Sequence, residues 1–122
     1  MLKDSLYTVL ATDHSDNTIH VVLEVDEHSE IFNGHFPDHP ILPGACMVQM
    51  VKEVFEQEMG NSYLLQKADN LKFLTLIDPQ KGEILHLEIN YVIDEAAARV
   101  TATLTAGEEV AFKFQGTFLI YK

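Results

Sequence analysis

The chain has 122 residues with 19 acidic and 8 basic side chains, and its net charge of −11 repels phosphate backbones and anionic lipid heads, which argues against nucleic-acid and membrane partners. With 47% hydrophobic and 22% charged residues the composition is that of a folded globular protein, and the length suits one domain, residues 1–122, around a single core. Cys46 is the only cysteine, so no intrachain disulfide can form. Residues 1–10 lack the charged-then-apolar layout of a signal peptide, and no apolar run approaches the ~20 residues that span a bilayer. The expected compartment is the cytoplasm.

In chain order, residues 3–12 and 18–25 read as a hairpin around an Asp13–Asn17 turn, with Ile19, Val21, Leu23 and Val25 alternating against His20 and Glu24. Asp26 to Phe32 is acidic and turn-prone. Pro37, Pro40 and Pro43 then fix φ and bias the residue before each away from helix, so His35 to Leu42 runs extended and a helix begins only after Pro43. From Ala45 to Met59 apolar residues occupy almost every side of the first turns, the pattern of a helix enclosed by protein, and Gly60-Asn61 stops it.

From Tyr63 onward the chain reads as strands broken by turns at Asp78-Pro79, Asp94-Glu95 and Ala106-Gly107. Leu85, Leu87, Ile89, Tyr91 and Ile93 share one face while His86, Glu88 and Asn90 share the other. One helix and about six strands joined by short antiparallel connections imply an α+β protein whose sheet covers the helix.

An imidazole, His35, stands at a fixed distance before an open helix N-terminus at Gly44. A base beside amide donors suits proton abstraction next to a carbonyl oxygen. His35, Asp38 and His39 also raise a metal site, but the intervening prolines forbid a helical His-x-x-x-His, and no metal is expected. Cys46 reads as a packing residue, and His14, His20, His28 and His86 fit turns or polar strand faces.

Gly34-His35-Phe36-Pro37 followed by Pro40 and Pro43-Gly44 resembles the signature of the β-hydroxyacyl-acyl-carrier-protein dehydratases. Asp69-Asn70-Leu71-Lys72-Phe73 and Pro79 extend the likeness over nearly the whole chain. The resemblance implies a hot-dog fold, a curved antiparallel sheet around one helix. It also implies His35 as catalytic base, the Gly44 amide as thioester-carbonyl donor, and Phe36, Pro43, Gly44 and Ala45 at the substrate. No cofactor is implied. The family's acid is a Glu or Asp fourteen positions after the histidine, where this chain has Gln49, and Glu53 stands one turn on, where the family typically has Gln.

Pattern alone makes Gln49, Lys52, Glu53, Glu56 and Gln57 a solvated stripe. The resemblance makes Gln49 and Glu53 an exchanged catalytic pair, with Asp38 as a second candidate acid. Three activities follow as expectations: dehydration of 3-hydroxyacyl thioesters on acyl carrier protein, thioester hydrolysis, and acyl binding without turnover. Because one sheet leaves its edges unpaired, a homodimer or a heterodimer with a related hot-dog chain is expected, within a higher oligomer or alone. Lys67, Lys72 and Arg99 are candidates for a basic rim that docks an acidic carrier protein.

Overall fold

The computed structural model describes residues 1–33 and 40–121. Six strands, β1 (Tyr7–Ser15), β2 (Thr18–Val25), β3 (Tyr63–Phe73), β4 (Leu85–Asp94), β5 (Ala97–Ala106) and β6 (Glu109–Ile120), form one sheet in the order β1-β2-β4-β5-β6-β3. Every pairing is antiparallel. One α-helix, α1 (Gly44–Met59), lies against the concave face of this sheet. This is the hot-dog architecture expected from the sequence.

The strand alternation does what its period of two requires. Ile19, Val21 and Leu23 of β2, Leu85, Leu87, Ile89 and Tyr91 of β4, and Ala98, Val100, Ala102 and Leu104 of β5 all turn inward. The helix answers with Met47, Met50, Val51, Val54 and Phe55. Phe55 is the central contact: its ring centroid lies 4.9 Å from Tyr63, 5.5 Å from Tyr91 and 5.8 Å from Phe118. Gly60 ends the helix in the left-handed region at φ 70°, as its position in the sequence indicates.

Two readings of the N-terminal hairpin are corrected. The strand expected from residue 3 begins at Tyr7, and it runs on to Ser15 where a turn from Asp13 was expected. Asp16 and Asn17 alone make the reversal, at φ 49° and 62°, because Asp and Asn tolerate the left-handed backbone of a two-residue hairpin turn. Residues 2–6 instead form a compact turn, with the Leu6 N–H donating to the Leu2 carbonyl at 2.7 Å.

Gly116 of β6 lies opposite Ala68 of β3 at the middle of their ladder. A Cβ there would come within 2.5 Å of the Lys67 carbonyl oxygen and 2.7 Å of the Phe114 ring. Gly116→Ala is therefore expected to cost about 1–3 kcal/mol, because backbone cannot yield as a flexible side chain would. Urea unfolding checks it: a lower midpoint at unchanged slope is the expected result, and an unmoved midpoint contradicts the close approach.

Candidate active site

Pro43 precedes the helix at φ −63° and ψ 145° and supplies no side-chain cap, so the first turn of α1 is left open at its N-terminus. The Cys46 N–H, the third of the helix, donates to the Pro43 carbonyl at 3.0 Å, while the N–H groups of Gly44 and Ala45 have no hydrogen-bond partner among the described residues. Leu42 N–H donates to the Ile77 carbonyl at 2.9 Å and fastens the approach segment to the chain beyond β3.

Gly44 has a second reason to be glycine. A Cβ on it would lie 2.7 Å from a ring carbon of Phe73, so only a hydrogen there lets the aromatic ring rest on the helix start. That ring stacks in turn on Phe112 at 5.1 Å between centroids. Around this contact Ile41, Leu42, Pro43, Met47, Leu74, Thr75 and Leu76 enclose a groove of about 570 Å³. Its size lies in the range of small-ligand sites, and the side chains that line it are apolar except for Thr75. Phe73, Leu74 and Leu76 remain 53%, 54% and 72% exposed, far more than core residues of their size. The sequence points to Pro43 and Gly44 but not to Phe73, Leu74 and Leu76, whose one signal is a cluster of large apolar side chains at and just past the end of β3.

The expected solvated stripe on α1 is corrected at Glu53, which is 2% exposed. Its carboxylate accepts from the backbone N–H of Leu2 at 2.8 Å and of Lys3 at 3.0 Å. It also accepts from the Tyr7 hydroxyl at 3.0 Å and from the Gln49 amide nitrogen at 2.9 Å. Burial alone would raise this carboxyl, but the bonds from Leu2, Gln49, Tyr7 and Lys3 outweigh it and hold the group below its ordinary range. Burial first, and then the charge of Glu53, push the Tyr7 phenol far up, so its hydroxyl stays protonated and donating. The same two causes raise the Cys46 thiol, which is buried as a packing residue.

Gln49 is therefore placed by its neighbour. An amide oxygen facing a carboxylate would repel it, so the nitrogen turns to Glu53 and the amide oxygen is left without a donor among the described residues. Ala45, expected at the enclosed end of the helix, is exposed. His35 and Phe36, and with them Asp38 and His39, lie outside the described residues.

The remaining histidines take structural places. His14 lies on β1 rather than in a turn, bridging Glu58 at 3.1 Å and the Tyr91 hydroxyl at 2.7 Å, which ties the end of α1 to the sheet. His20 and His86 stack on the outer face at 5.3 Å. Among the described residues no three His, Cys, Asp or Glu side chains are grouped to hold a metal ion, and no helix is long and apolar enough to cross a membrane.

The comparisons with known proteins agree with this geometry. Residues 11–115 match the family model of the ApeI-like proteins, described as ApeI dehydratase. The chain is 31% identical over 107 residues to the 3-hydroxyacyl-acyl-carrier-protein dehydratase FabZ of Bacillus pumilus, covering 81% of this chain and 73% of that protein. Among solved structures it resembles the dehydratase heterocomplex ApeI:P of Xenorhabdus doucetiae, with TM-score 0.80 at 19% identity over 92% of this chain and 96% of that one. A hypothetical thioesterase with coenzyme A from Streptococcus pneumoniae superposes with TM-score 0.68 at 10% identity, covering 97% and 90%, a likeness of fold.

Glu53 makes a measurable demand on stability. A carboxyl whose folded value lies below its unfolded one contributes fully above the unfolded value, and that contribution fades as pH falls through the folded value. Glu53→Ala is expected to destabilise the fold at pH 7 by about 1–3 kcal/mol for each donor left out of water, and to be less sensitive than the parent to acid below about pH 4.5. Urea unfolding at pH 7 and in acid reads both effects, and an equal loss at the two pH values would contradict the assignment.

Proposed function

The chain belongs to the ApeI dehydratase family, and from that premise we propose that it dehydrates 3-hydroxyacyl thioesters carried on acyl carrier protein. The observation that carries the reading is the juxtaposition of two N–H groups at the start of α1, unpartnered among the described residues, with an apolar groove beside them. The groove accepts the acyl chain, and the Gly44 N–H meets the thioester oxygen.

His35, as a neutral imidazole, takes a proton from the carbon α to the carbonyl, and the electron pair moves onto the thioester oxygen at the Gly44 amide. When that pair returns to form the α,β double bond, the β carbon–oxygen bond breaks and the hydroxyl leaves. Glu53 does not supply the proton this hydroxyl needs, because its carboxylate is held ionised by four donors. The His35 imidazolium returns the proton it took, and water departs. The Gln49 amide oxygen accepts from the substrate hydroxyl and aligns it, but it has no proton to give up.

Four of the eight basic residues support a carrier protein as the donor of the thioester. Lys67 and Arg99 both oppose Thr117, while Lys72 and Thr103 both oppose Lys113, so Lys67, Lys72, Arg99 and Lys113 share one face of neighbouring strands. On a chain of net charge −11 this is the local basic surface that docking of an acidic protein requires.

A second reading rests on Gln49 itself: the chain binds the thioester, and a related hot-dog chain supplies the acid. The two readings separate with two variants. Under the first, His35→Ala abolishes release of the α,β-unsaturated product by the purified chain. Gln49→Glu raises it by about 10²–10⁴, the worth of a positioned acid. The new carboxyl would lie beside an ionised Glu53, which keeps it protonated near neutral pH. Absorbance of the unsaturated thioester follows both variants. No product from the unaltered chain, together with product on adding a related chain, overturns the first reading in favour of the second.

A further inference from the structure

The convex face of the sheet carries a depression of about 110 Å³, lined by Asn70 and Lys72 of β3, Lys113, Phe114 and Gln115 of β6, and Thr101 of β5. It adjoins the bulge between Ala68 and Asn70, where β3 falls out of step with β6. The five polar residues of its lining are exposed.

Strand register assembles this patch. Lys72 stands directly opposite Lys113, and Asn70 directly opposite Gln115. On the other side of β6, Gln115 opposes Thr101 and Lys113 opposes Thr103. Two ammonium groups, two carboxamides and two hydroxyls therefore meet across three neighbouring strands, and every one of them can donate a hydrogen bond. The acidic side chains nearest in register are not their partners. Asp69 is paired with Lys67 at 3.2 Å, and Glu88 opposes Thr103 from its far side, two strands away from Lys113.

Like charges set directly opposite each other in a ladder are destabilising. A chain with 19 acidic and 8 basic residues has carboxylates to spare for either position, yet both hold lysine. Blunting of an edge strand accounts for Lys72, because β3 is an edge. It does not account for Lys113, because β6 lies inside the sheet between β5 and β3.

We propose that this depression binds a phosphate group, held between Lys72 and Lys113, with Asn70, Gln115 and Thr101 donating to its oxygens. A phosphate ester brings a charge near −2 and three acceptor oxygens, which two ammonium groups and three further donors answer together. A single carboxylate needs only one lysine. The small volume suits the phosphate itself and leaves the rest of its molecule outside. Lys72 and Phe73 are successive strand residues and point to opposite faces, so the site lies across the sheet from the apolar groove. The phosphate is either the terminal group of a small ligand or a bridging diester.

Titration of the purified full-length chain with inorganic phosphate at fixed ionic strength, followed by ¹⁵N–¹H NMR, tests the site. Saturable shifts centred on Asn70, Lys72, Lys113 and Gln115 are expected. Lys72→Gln and Lys113→Gln each weaken binding about tenfold, the worth of one charge-assisted hydrogen bond. Thermal unfolding adds a readout that a merely solvated face would not move. Without phosphate, Lys113→Gln melts no lower than the parent, because a repulsion has been removed. With phosphate, the melting point of the parent rises while that of the variant carrying both substitutions stays where it was. Competition then tells the two sources apart, and either result supports the site: glycerol 3-phosphate alone displaces inorganic phosphate if the natural group is terminal, and dimethyl phosphate does so too if it is a diester. Shifts that do not saturate, equal stabilisation of parent and double variant, or acetate binding as tightly as phosphate overturns the proposal. None of these measurements reads turnover, so their outcome and that of the dehydratase reading are independent.

Discussion

Four donors converge on the carboxylate of Glu53: the backbone N–H groups of Leu2 and Lys3, the Tyr7 hydroxyl and the Gln49 amide. A carboxylate that is 2% exposed is stable only if its charge is answered, and hydrogen bonds to an ionised acceptor are the stronger kind. The first residues of the chain are thereby pinned across the helix, β1 starts where Tyr7 reaches the carboxylate, and the helix is clamped from outside as well as by the sheet. The same charge fixes how Gln49 points and, second to burial, keeps the Tyr7 and Cys46 protons in place. An acid held this firmly in its ionised form is an anchor, and the chemistry of the site has to be arranged without it.

The opposite end of α1 is built on the reverse principle. Where Glu53 is saturated with donors, the helix start is left with donors and no acceptor among the described residues, since Pro43 supplies no cap. An anionic or polarised oxygen is the natural complement of that end, and the groove beside it is apolar enough for a hydrocarbon. Phe73 joins the two by lying on Gly44, so the last residue of an edge strand forms part of the wall of the groove. Any strand that pairs with this edge borders the groove as well.

The elements were legible in the sequence wherever their signals are local. Pro43 and Gly60 bracket the helix, and the alternation from Leu85 to Ile93 marks its strand, because a proline, a left-handed glycine and a period of two act within a few residues. The short reversal at Asp16-Asn17 was read too wide because five consecutive polar residues give no hint of which two take positive φ. Glu53 was illegible for a different reason. Its partners Leu2, Lys3 and Tyr7 lie 51, 50 and 46 positions away, so its helical pattern suggested water where the fold supplies donors. The role of Phe73 was hidden likewise, for nothing near it in sequence shows that its ring will meet Gly44.

The central claim is that Glu53 is a fixed anion and not a proton donor, and the most direct test is the titration of its carboxyl carbon by ¹³C NMR in the intact chain. Selective labelling of glutamate, assigned by comparison with a Glu53→Gln sample, isolates the resonance. The account predicts an ionised shift that persists from neutral pH to below about 4.5, moving only as the protein approaches acid unfolding. A carboxyl that takes up its proton near pH 6 or above, while the fold is intact, would contradict it and return Glu53 to the role of acid.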